Sequence, residues 1–92
     1  MVWEIVGHES VLTWRKQLSL DERQRLVVAY EALANFGPQL GRPLVDRIHG
    51  STIHNLKELR VSGSFGAEYR VLFVFEPLRK AVLLVAGDKK GR

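Results

Sequence analysis

The chain is 92 residues long, with 46% hydrophobic and 26% charged residues. This composition is typical of one globular domain and argues against disorder. The absence of Cys excludes disulfides and thiolate metal sites. The longest apolar run, residues 81–87, is far shorter than the roughly 20 residues of a membrane helix, and the N-terminus lacks the features of a signal peptide. We therefore expect a cytoplasmic protein without membrane association.

The positive charge is concentrated in the C-terminal part of the chain, whose net charge as a whole is +4. Residues 1–39 contain four Lys and Arg against five acidic residues, whereas residues 40–92 contain ten against five. A one-sided basic surface is typical of proteins that bind nucleic acid, because Lys and Arg release counterions from the phosphates that they neutralise. The charge alone does not distinguish such a protein from a basic domain whose charge only keeps it soluble.

The N-terminal part predicts a strand followed by a helix. Residues 2–6 form a short strand candidate. From about Ser10 a helix places Val11, Trp14 and Leu18 on one face, at positions i, i+3 and i+7. We expect this face to belong to the core.

A second predicted helix begins after Ser19, which forms a capping box with Glu22. Gly37 and Pro38 end this helix, because Gly permits a left-handed cap and Pro cannot continue the turn. The short connection between the two helices predicts an antiparallel hairpin. The predicted buried stripe of the second helix consists of Leu26, Tyr30 and Leu33, flanked by Val27 and Ala34.

The remaining sequence predicts a loop and three strands. Gly and Pro residues interrupt residues 37–55, which we interpret as irregular. Strands are predicted at about residues 55–61, 68–76 and 80–86, and the turn sequences between them favour antiparallel neighbours. The last two are apolar on both faces, so we expect them in the centre of the sheet. The order β-α-α-β-β-β indicates an α+β domain, with an N-terminal strand and a helix hairpin packed on a small, mainly antiparallel sheet.

Five segments of the sequence together carry a family resemblance. They are Phe36-Gly37-Pro38, Leu40-Gly41-Arg42-Pro43-Leu44, Leu56-Lys57-Glu58-Leu59-Arg60, Tyr69-Arg70-Val71-Leu72-Phe73 and Ala86-Gly87-Asp88-Lys89. With these segments in this order, the chain resembles the RelE/HigB toxins of bacterial type II toxin–antitoxin modules, which include phage-derived Gp49-like proteins. The resemblance implies a single RelE/ParE-like domain over residues 1–92, without the C-terminal helix or tail of the family.

The resemblance implies a toxin that cleaves mRNA on the ribosome. In this reaction the ribose 2′-hydroxyl attacks the adjacent phosphate and gives a 2′,3′-cyclic phosphate, without a metal or another cofactor. The protein has to aid deprotonation, stabilise the negative charge of the phosphorane and protonate the leaving oxygen. The implied partners are a cognate helix-turn-helix antitoxin of the HigA type, the ribosome and mRNA.

The resemblance also implies which residues form the site. Arg70 matches the phosphate-binding Arg of the family, and Lys89, Asp88 and His54 lie at or near its cationic and acid–base positions. These four residues are the catalytic candidates. The RNA-binding candidates are Lys57, Arg60 and Lys90. Because side chains alternate along a strand, Lys57 and Arg60 are expected on opposite faces of the sheet.

Two other functions stay open. The same fold includes ParE-type toxins, which inhibit DNA gyrase without catalysis and for which Arg70 and Lys89 would be dispensable. The usual acid–base residues of the family have no counterpart after Lys89, so the second open function is that of a truncated toxin that only binds its antitoxin. His8 and His49 have no neighbours at metal-ligand spacing, and no metal site is expected.

Overall fold

A computed structural model describes residues 2–88. The five strands form one sheet in the order β1-β5-β4-β3-β2, in which only β1 and β5 are parallel neighbours. The predicted α+β fold, with a helix hairpin on a mainly antiparallel sheet, is confirmed. The elements in chain order are β1 (Glu4–Gly7), α1 (Glu9–Lys16), α2 (Leu20–Phe36), a 3-10 turn (Gly37–Gln39), β2 (Val45–Arg47), β3 (Lys57–Ser62), a second 3-10 turn (Ser64–Gly66), β4 (Glu68–Glu76) and β5 (Lys80–Asp88).

The predicted strands are present, with shifted ends. β4 has the predicted bounds, and β4 and β5 each have neighbours on both sides, as expected for central strands. β1 begins later than predicted, because the N–H of Trp3 donates to the carbonyl of Ala34 in α2, at 2.8 Å, before the strand starts. β3 begins later because Asn55 has a positive φ of 59°, which interrupts an extended chain. β5 continues to Asp88, which pairs with Tyr69 of β4.

The interpretation of residues 37–55 as wholly irregular was wrong at β2. Val45–Arg47 pairs antiparallel with β3, and Val45 is buried opposite Leu59. A three-residue strand is too short for alternation to be recognised in a sequence. Because of β2, β3 is an interior strand rather than the edge of the sheet.

Both helices pack on one face of the sheet, and the core lies between the helices and this face. α2 contributes Leu26 and Leu33, both fully buried, with Ala29 between them. The prediction for Val27 was wrong, since 41% of this residue is exposed. The buried core consists of Val11, Leu18, Leu26, Ala29, Leu33, Val45, Leu59, Val61, Val71, Phe73, Ala81 and Leu83.

No helix within residues 2–88 is long and apolar enough to cross a membrane.

The ends of α2 form as the sequence predicts. The hydroxyl of Ser19 accepts from the backbone N–H of Glu22 at 3.1 Å, and the carboxylate of Glu22 accepts from the backbone N–H of Ser19 at 3.0 Å. Gly37 ends the helix with a φ of 56°, and a Cβ at this position would collide with the indole ring of Trp3. Glycine is therefore required here both by its backbone conformation and by the close approach of the ring.

Ser19→Ala is expected to lower the free energy of unfolding by about 1 kcal/mol, because the N–H of Glu22 loses its acceptor. Denaturant unfolding followed by circular dichroism measures this change. Thr13→Ala on the exposed side of α1 is the matched control and should cause no loss. An equal loss in both variants would contradict the assigned role of the cap.

Candidate functional site

Two predicted site residues, Arg60 and Arg70, lie directly opposite each other on β3 and β4. Their neighbours Leu59, Val61 and Val71 are buried against the helices. Because side chains alternate along a strand, Arg60 and Arg70 project from the opposite surface, which we call the open face. The sheet therefore brings two guanidinium groups together on the face that the helices do not cover.

Glu58 holds both guanidinium groups in place. It precedes Arg60 by two residues on β3, and only 5% of its side chain is exposed. Its carboxylate accepts from Nε of Arg60 at 2.8 Å and from Nη1 of Arg70 at 3.0 Å. A buried carboxylate is costly unless it is paired and hydrogen-bonded, so Glu58 fixes the positions of both arginines.

Three further side chains extend this cluster. Asp46 of β2 accepts from Nη2 of Arg60 at 3.1 Å, and Arg42 lies 3.6 Å from the same carboxylate. The backbone N–H of Arg47, and secondarily the nearby cations, lower the pKa of Asp46. Glu68, whose side chain is half exposed, lies 3.4 Å from Nη2 of Arg70. We call the six residues the open-face network: Arg42, Asp46, Glu58, Arg60, Glu68 and Arg70.

Arg70 keeps unused hydrogen-bonding capacity, although three acids balance the three cations of the network. A guanidinium group has five N–H donors, and Nε of Arg70 is buried without an acceptor among residues 2–88. Its partner on β5 is Gly87, and among residues 2–88 a Cβ at Gly87 would meet nothing within 4 Å. The described residues therefore leave space for an anion beside the partly exposed side chain of Arg70, on the side away from Glu58.

The other predicted site residues do not join this cluster. Lys57 pairs with Phe73 on the helix side of the sheet, so the predicted separation of Lys57 from Arg60 is confirmed. Asp88 pairs with Tyr69, also on the helix side, at the end of β5. His54 is exposed in the loop before β3. Lys89 and Lys90 lie outside the described residues.

A second cluster of polar residues, which was not predicted from the sequence, lies on the helix side of the sheet near Asp88. The carboxylate of Glu22 accepts from the backbone N–H of Ser64 at 2.7 Å and from the hydroxyl of Tyr69 at 2.9 Å, besides its bond to Ser19. The two backbone N–H groups and the Tyr69 hydroxyl lower the pKa of Glu22 from 4.5 to about 2. The only signal in the sequence was the capping box, which revealed none of the long-range bonds.

The Glu22 cluster predicts a specific loss of stability in acid. Since the pKa of Glu22 is lower in the folded than in the unfolded protein, its carboxylate stabilises the fold above about pH 4.5. This stabilisation is lost as the pH falls from 4.5 towards 2. Glu22→Gln should therefore unfold more easily than the wild type at pH 7, and the difference should shrink at pH 2.5. Chemical denaturation at both pH values measures it, and a difference independent of pH would contradict the assignment.

Within residues 2–88, no three His, Asp or Glu side chains are grouped so that they could hold a metal ion. Glu58 and Asp46 were not predicted as site residues. The role of Asp46 depends on the pairing of β2 with β3, and that of Glu58 on the pairing of β3 with β4. Neither register is visible in the sequence.

The chain was compared with known proteins. A family model described as "Phage derived protein Gp49-like (DUF891)" matches residues 13–92. "Putative toxin HigB3" of Mycobacterium tuberculosis (strain ATCC 25618 / H37Rv) is 45% identical over 78 residues, which are 85% of this chain and 66% of that protein. "Putative toxin HigB2" of the same organism is 42% identical over 84 residues, 91% of this chain and 42% of that protein. No solved structure matches the chain at a significant level.

These matches confirm the resemblance to the RelE/HigB toxins that the sequence segments indicated. The matched part of this chain spans less than two thirds of the length of either relative. The family model, in contrast, covers everything from residue 13 onward. The chain therefore belongs to the phage-derived Gp49-like family.

Proposed function

We propose that this protein is the toxin of a toxin–antitoxin module and that it cleaves mRNA on the ribosome. The observation that carries the proposal is the pair of guanidinium groups of Arg60 and Arg70 on the open face, held by the buried carboxylate of Glu58. The names of the two relatives support the toxin assignment. The net positive charge of residues 40–92 fits an RNA substrate.

Arg70 is the proposed phosphate-binding residue. Its contact with the half-exposed Glu68 is long, 3.4 Å, whereas its contact with the buried Glu58 is 3.0 Å. An incoming phosphate would displace Glu68, because an exposed pair of this length contributes little, and would leave Glu58 in place. The planar guanidinium fork then matches two phosphate oxygens.

The proposed reaction forms a bond between the ribose 2′ oxygen and phosphorus and breaks the bond to the 5′ oxygen of the next nucleotide. The 2′-hydroxyl gives up its proton to a base, and the 5′ oxygen receives a proton from an acid. Arg70, assisted by Arg60, would stabilise the additional negative charge on the phosphorane. The proton-transfer candidates are Asp88, Lys89 and His54.

The remaining candidates would contact the RNA strand or the ribosome. Lys57 and Lys90 are proposed as RNA-binding residues, besides Arg60. The proposed regulator is a cognate helix-turn-helix antitoxin of the HigA type, which would keep the toxin inactive while it is bound. Acidic side chains of such an antitoxin would compete with phosphate for Arg60 and Arg70.

A specific observation favours a second candidate function, binding without catalysis. Asp88 lies on the helix side of the sheet, so this proton-transfer candidate does not share the open face with Arg70, and His54 lies in the loop before β3 rather than on the sheet. A protein that arrests growth through DNA gyrase, or that only binds its antitoxin, would need no such shared site.

Induction of the native full-length gene in bacterial cells, followed by mapping of the 5′ ends of transcripts, tests the proposal. The nuclease should cause growth arrest with new 5′ ends inside translated codons. Arg70→Ala should abolish both effects, whereas Lys16→Ala on the exposed end of α1 should behave as the wild type. Growth arrest without new 5′ ends would contradict the nuclease and favour a protein target, and absence of arrest would favour antitoxin binding alone.

A further inference from the structure

Two cations face each other across β2 and β3 on the helix side of the sheet. Arg47 of β2 pairs directly with Lys57 of β3. Side chains directly opposite in an antiparallel pair have Cβ atoms about 5 Å apart, and like charges at this distance are destabilising. The fold therefore keeps an unfavourable pair at the end of the β2–β3 hairpin where the connecting loop begins.

The neighbours of this pair provide no negative charge. The partner of Lys57 on β4 is Phe73, which is fully buried, and the next residues on the same face are Leu59 and Val45. Neither Arg47 nor Lys57 makes an ion pair with another residue of the part of the chain that the structure describes. Arg47 is exposed and Lys57 is partly exposed, so both can meet a ligand from solution.

The other like-charged pairs of the same strands are neutralised. Asp46 and Glu58 are also directly opposite, and Arg60 bonds to both of them. Arg60 and Arg70 are opposite as well, and Glu58 lies between them. Only Arg47 and Lys57 lack an internal counterion among the like-charged cross-strand pairs of residues 2–88.

The hairpin beyond this pair adds no acidic residue. Residues 47–57 contain Arg47, Lys57, His49 and His54 but neither Asp nor Glu. Both histidines are exposed or half-exposed in the loop. The hairpin end thus carries two fixed positive charges and no negative charge, and these two charges lie on the face opposite to the open-face network.

We propose that Arg47 and Lys57 form a second phosphate-binding site, which holds the backbone of an RNA strand on the helix side of the β2–β3 hairpin. A bound phosphate supplies the counter-charge that the fold does not provide, and it accepts from the guanidinium and the ammonium group together. The choice of RNA over other polyanions rests on the proposed function. The anion site itself rests only on the geometry of the hairpin.

Binding of a fluorescein-labelled 2′-O-methyl oligoribonucleotide, which cannot be cleaved at a 2′-hydroxyl, tests this site by fluorescence anisotropy at several salt concentrations. Arg47→Gln/Lys57→Gln should weaken binding about tenfold at low salt. It should also reduce the slope of log K against log salt by roughly 0.7, because the two cations together neutralise one phosphate and each neutralised phosphate of a single strand contributes about 0.7. Lys16→Gln/Arg79→Gln, which removes the same charge elsewhere, should leave the slope nearly unchanged.

The thermal midpoint of unfolding without RNA supplies a second readout. Removing two like charges that repel each other should leave the midpoint unchanged or raise it. A midpoint lowered well below that of the control variant would overturn the proposal, because the two cations would then be structural. An unchanged salt slope in the Arg47→Gln/Lys57→Gln variant would overturn it as well.

Poly-glutamate of matched charge distinguishes RNA from an acidic polypeptide. Weak competition by poly-glutamate supports the RNA site, whereas competition as strong as that of unlabelled RNA would overturn it in favour of an acidic protein partner. Binding is measured without cleavage, so the site and the nuclease can fail separately. Weaker RNA binding by the Arg47→Gln/Lys57→Gln variant, together with uncut transcripts after induction of the wild-type gene in cells, would sustain the site and reject the proposed reaction.

Discussion

Arg70→Lys is expected to lower the rate of mRNA cleavage by about 10²- to 10³-fold, the usual cost of removing one donor that stabilises a developing negative charge. Lys keeps the positive charge but lacks the planar fork, so its ammonium group cannot match two phosphate oxygens in a bidentate geometry while it donates to Glu58. The rate is measured with purified full-length protein, programmed ribosomes and end-labelled mRNA. Circular dichroism confirms that the variant is folded.

Arg42→Lys is the matched control for this substitution. Arg42 belongs to the same network, but 74% of its side chain is exposed and its contact with Asp46 is 3.6 Å. Cleavage by this variant should stay within a few-fold of the wild type. Full activity of Arg70→Lys would show that position 70 needs only a point charge, and it would remove the assigned role of the guanidinium fork.

Glu58→Gln is expected to cause the largest loss of stability among single substitutions on the open face. The carboxylate is buried and binds Arg60 and Arg70, and its removal leaves two guanidinium groups without their shared counterion. Breaking a fully buried pair costs about 3–5 kcal/mol. Because both arginines keep about a quarter of their surface exposed, we expect a loss of about 2–3 kcal/mol in the free energy of unfolding, measured by chemical denaturation.

Glu68→Gln tests whether this effect comes from burial or merely from charge. Glu68 also pairs with Arg70, but half of its side chain is exposed and the contact is longer. An exposed pair contributes little, so the loss should be less than about 0.5 kcal/mol. Equal losses for Glu58→Gln and Glu68→Gln would contradict the view that Glu58 anchors the two arginines.

The fold was largely predictable from the sequence because its elements carry strong local signals. These signals are the capping box at Ser19, the helix stop at Gly37 and the apolar runs of β4 and β5. Each of them spans only a few residues of sequence. The missed strand β2 carries no such signal, since it is short and is defined by its pairing with β3. The exposure of Val27 was missed because apolar character alone does not reveal which side of a helix faces the core.

The candidate site was predictable only in part, for a related reason. Alternation along β3 correctly separated Lys57 from Arg60. The pairing of Arg60 with Arg70, the anchoring by Glu58 and the unbalanced pair of Arg47 and Lys57 all depend on strand register. Register is a tertiary property, and a shift by one residue would move every side chain of a strand to the other face. The sequence therefore predicts the residue types of a site more readily than their grouping.

The most direct test of the proposed function is cleavage of a ribosome-bound mRNA in vitro, with a 2′-O-methyl group placed at the nucleotide that is normally cut. The wild-type protein should cut the unmodified mRNA and leave a 2′,3′-cyclic phosphate. It should not cut the methylated mRNA, and Arg70→Ala should cut neither. Cleavage of the methylated mRNA at the same position, or undiminished cleavage by Arg70→Ala, would contradict a 2′-hydroxyl attack stabilised from the open face of the sheet.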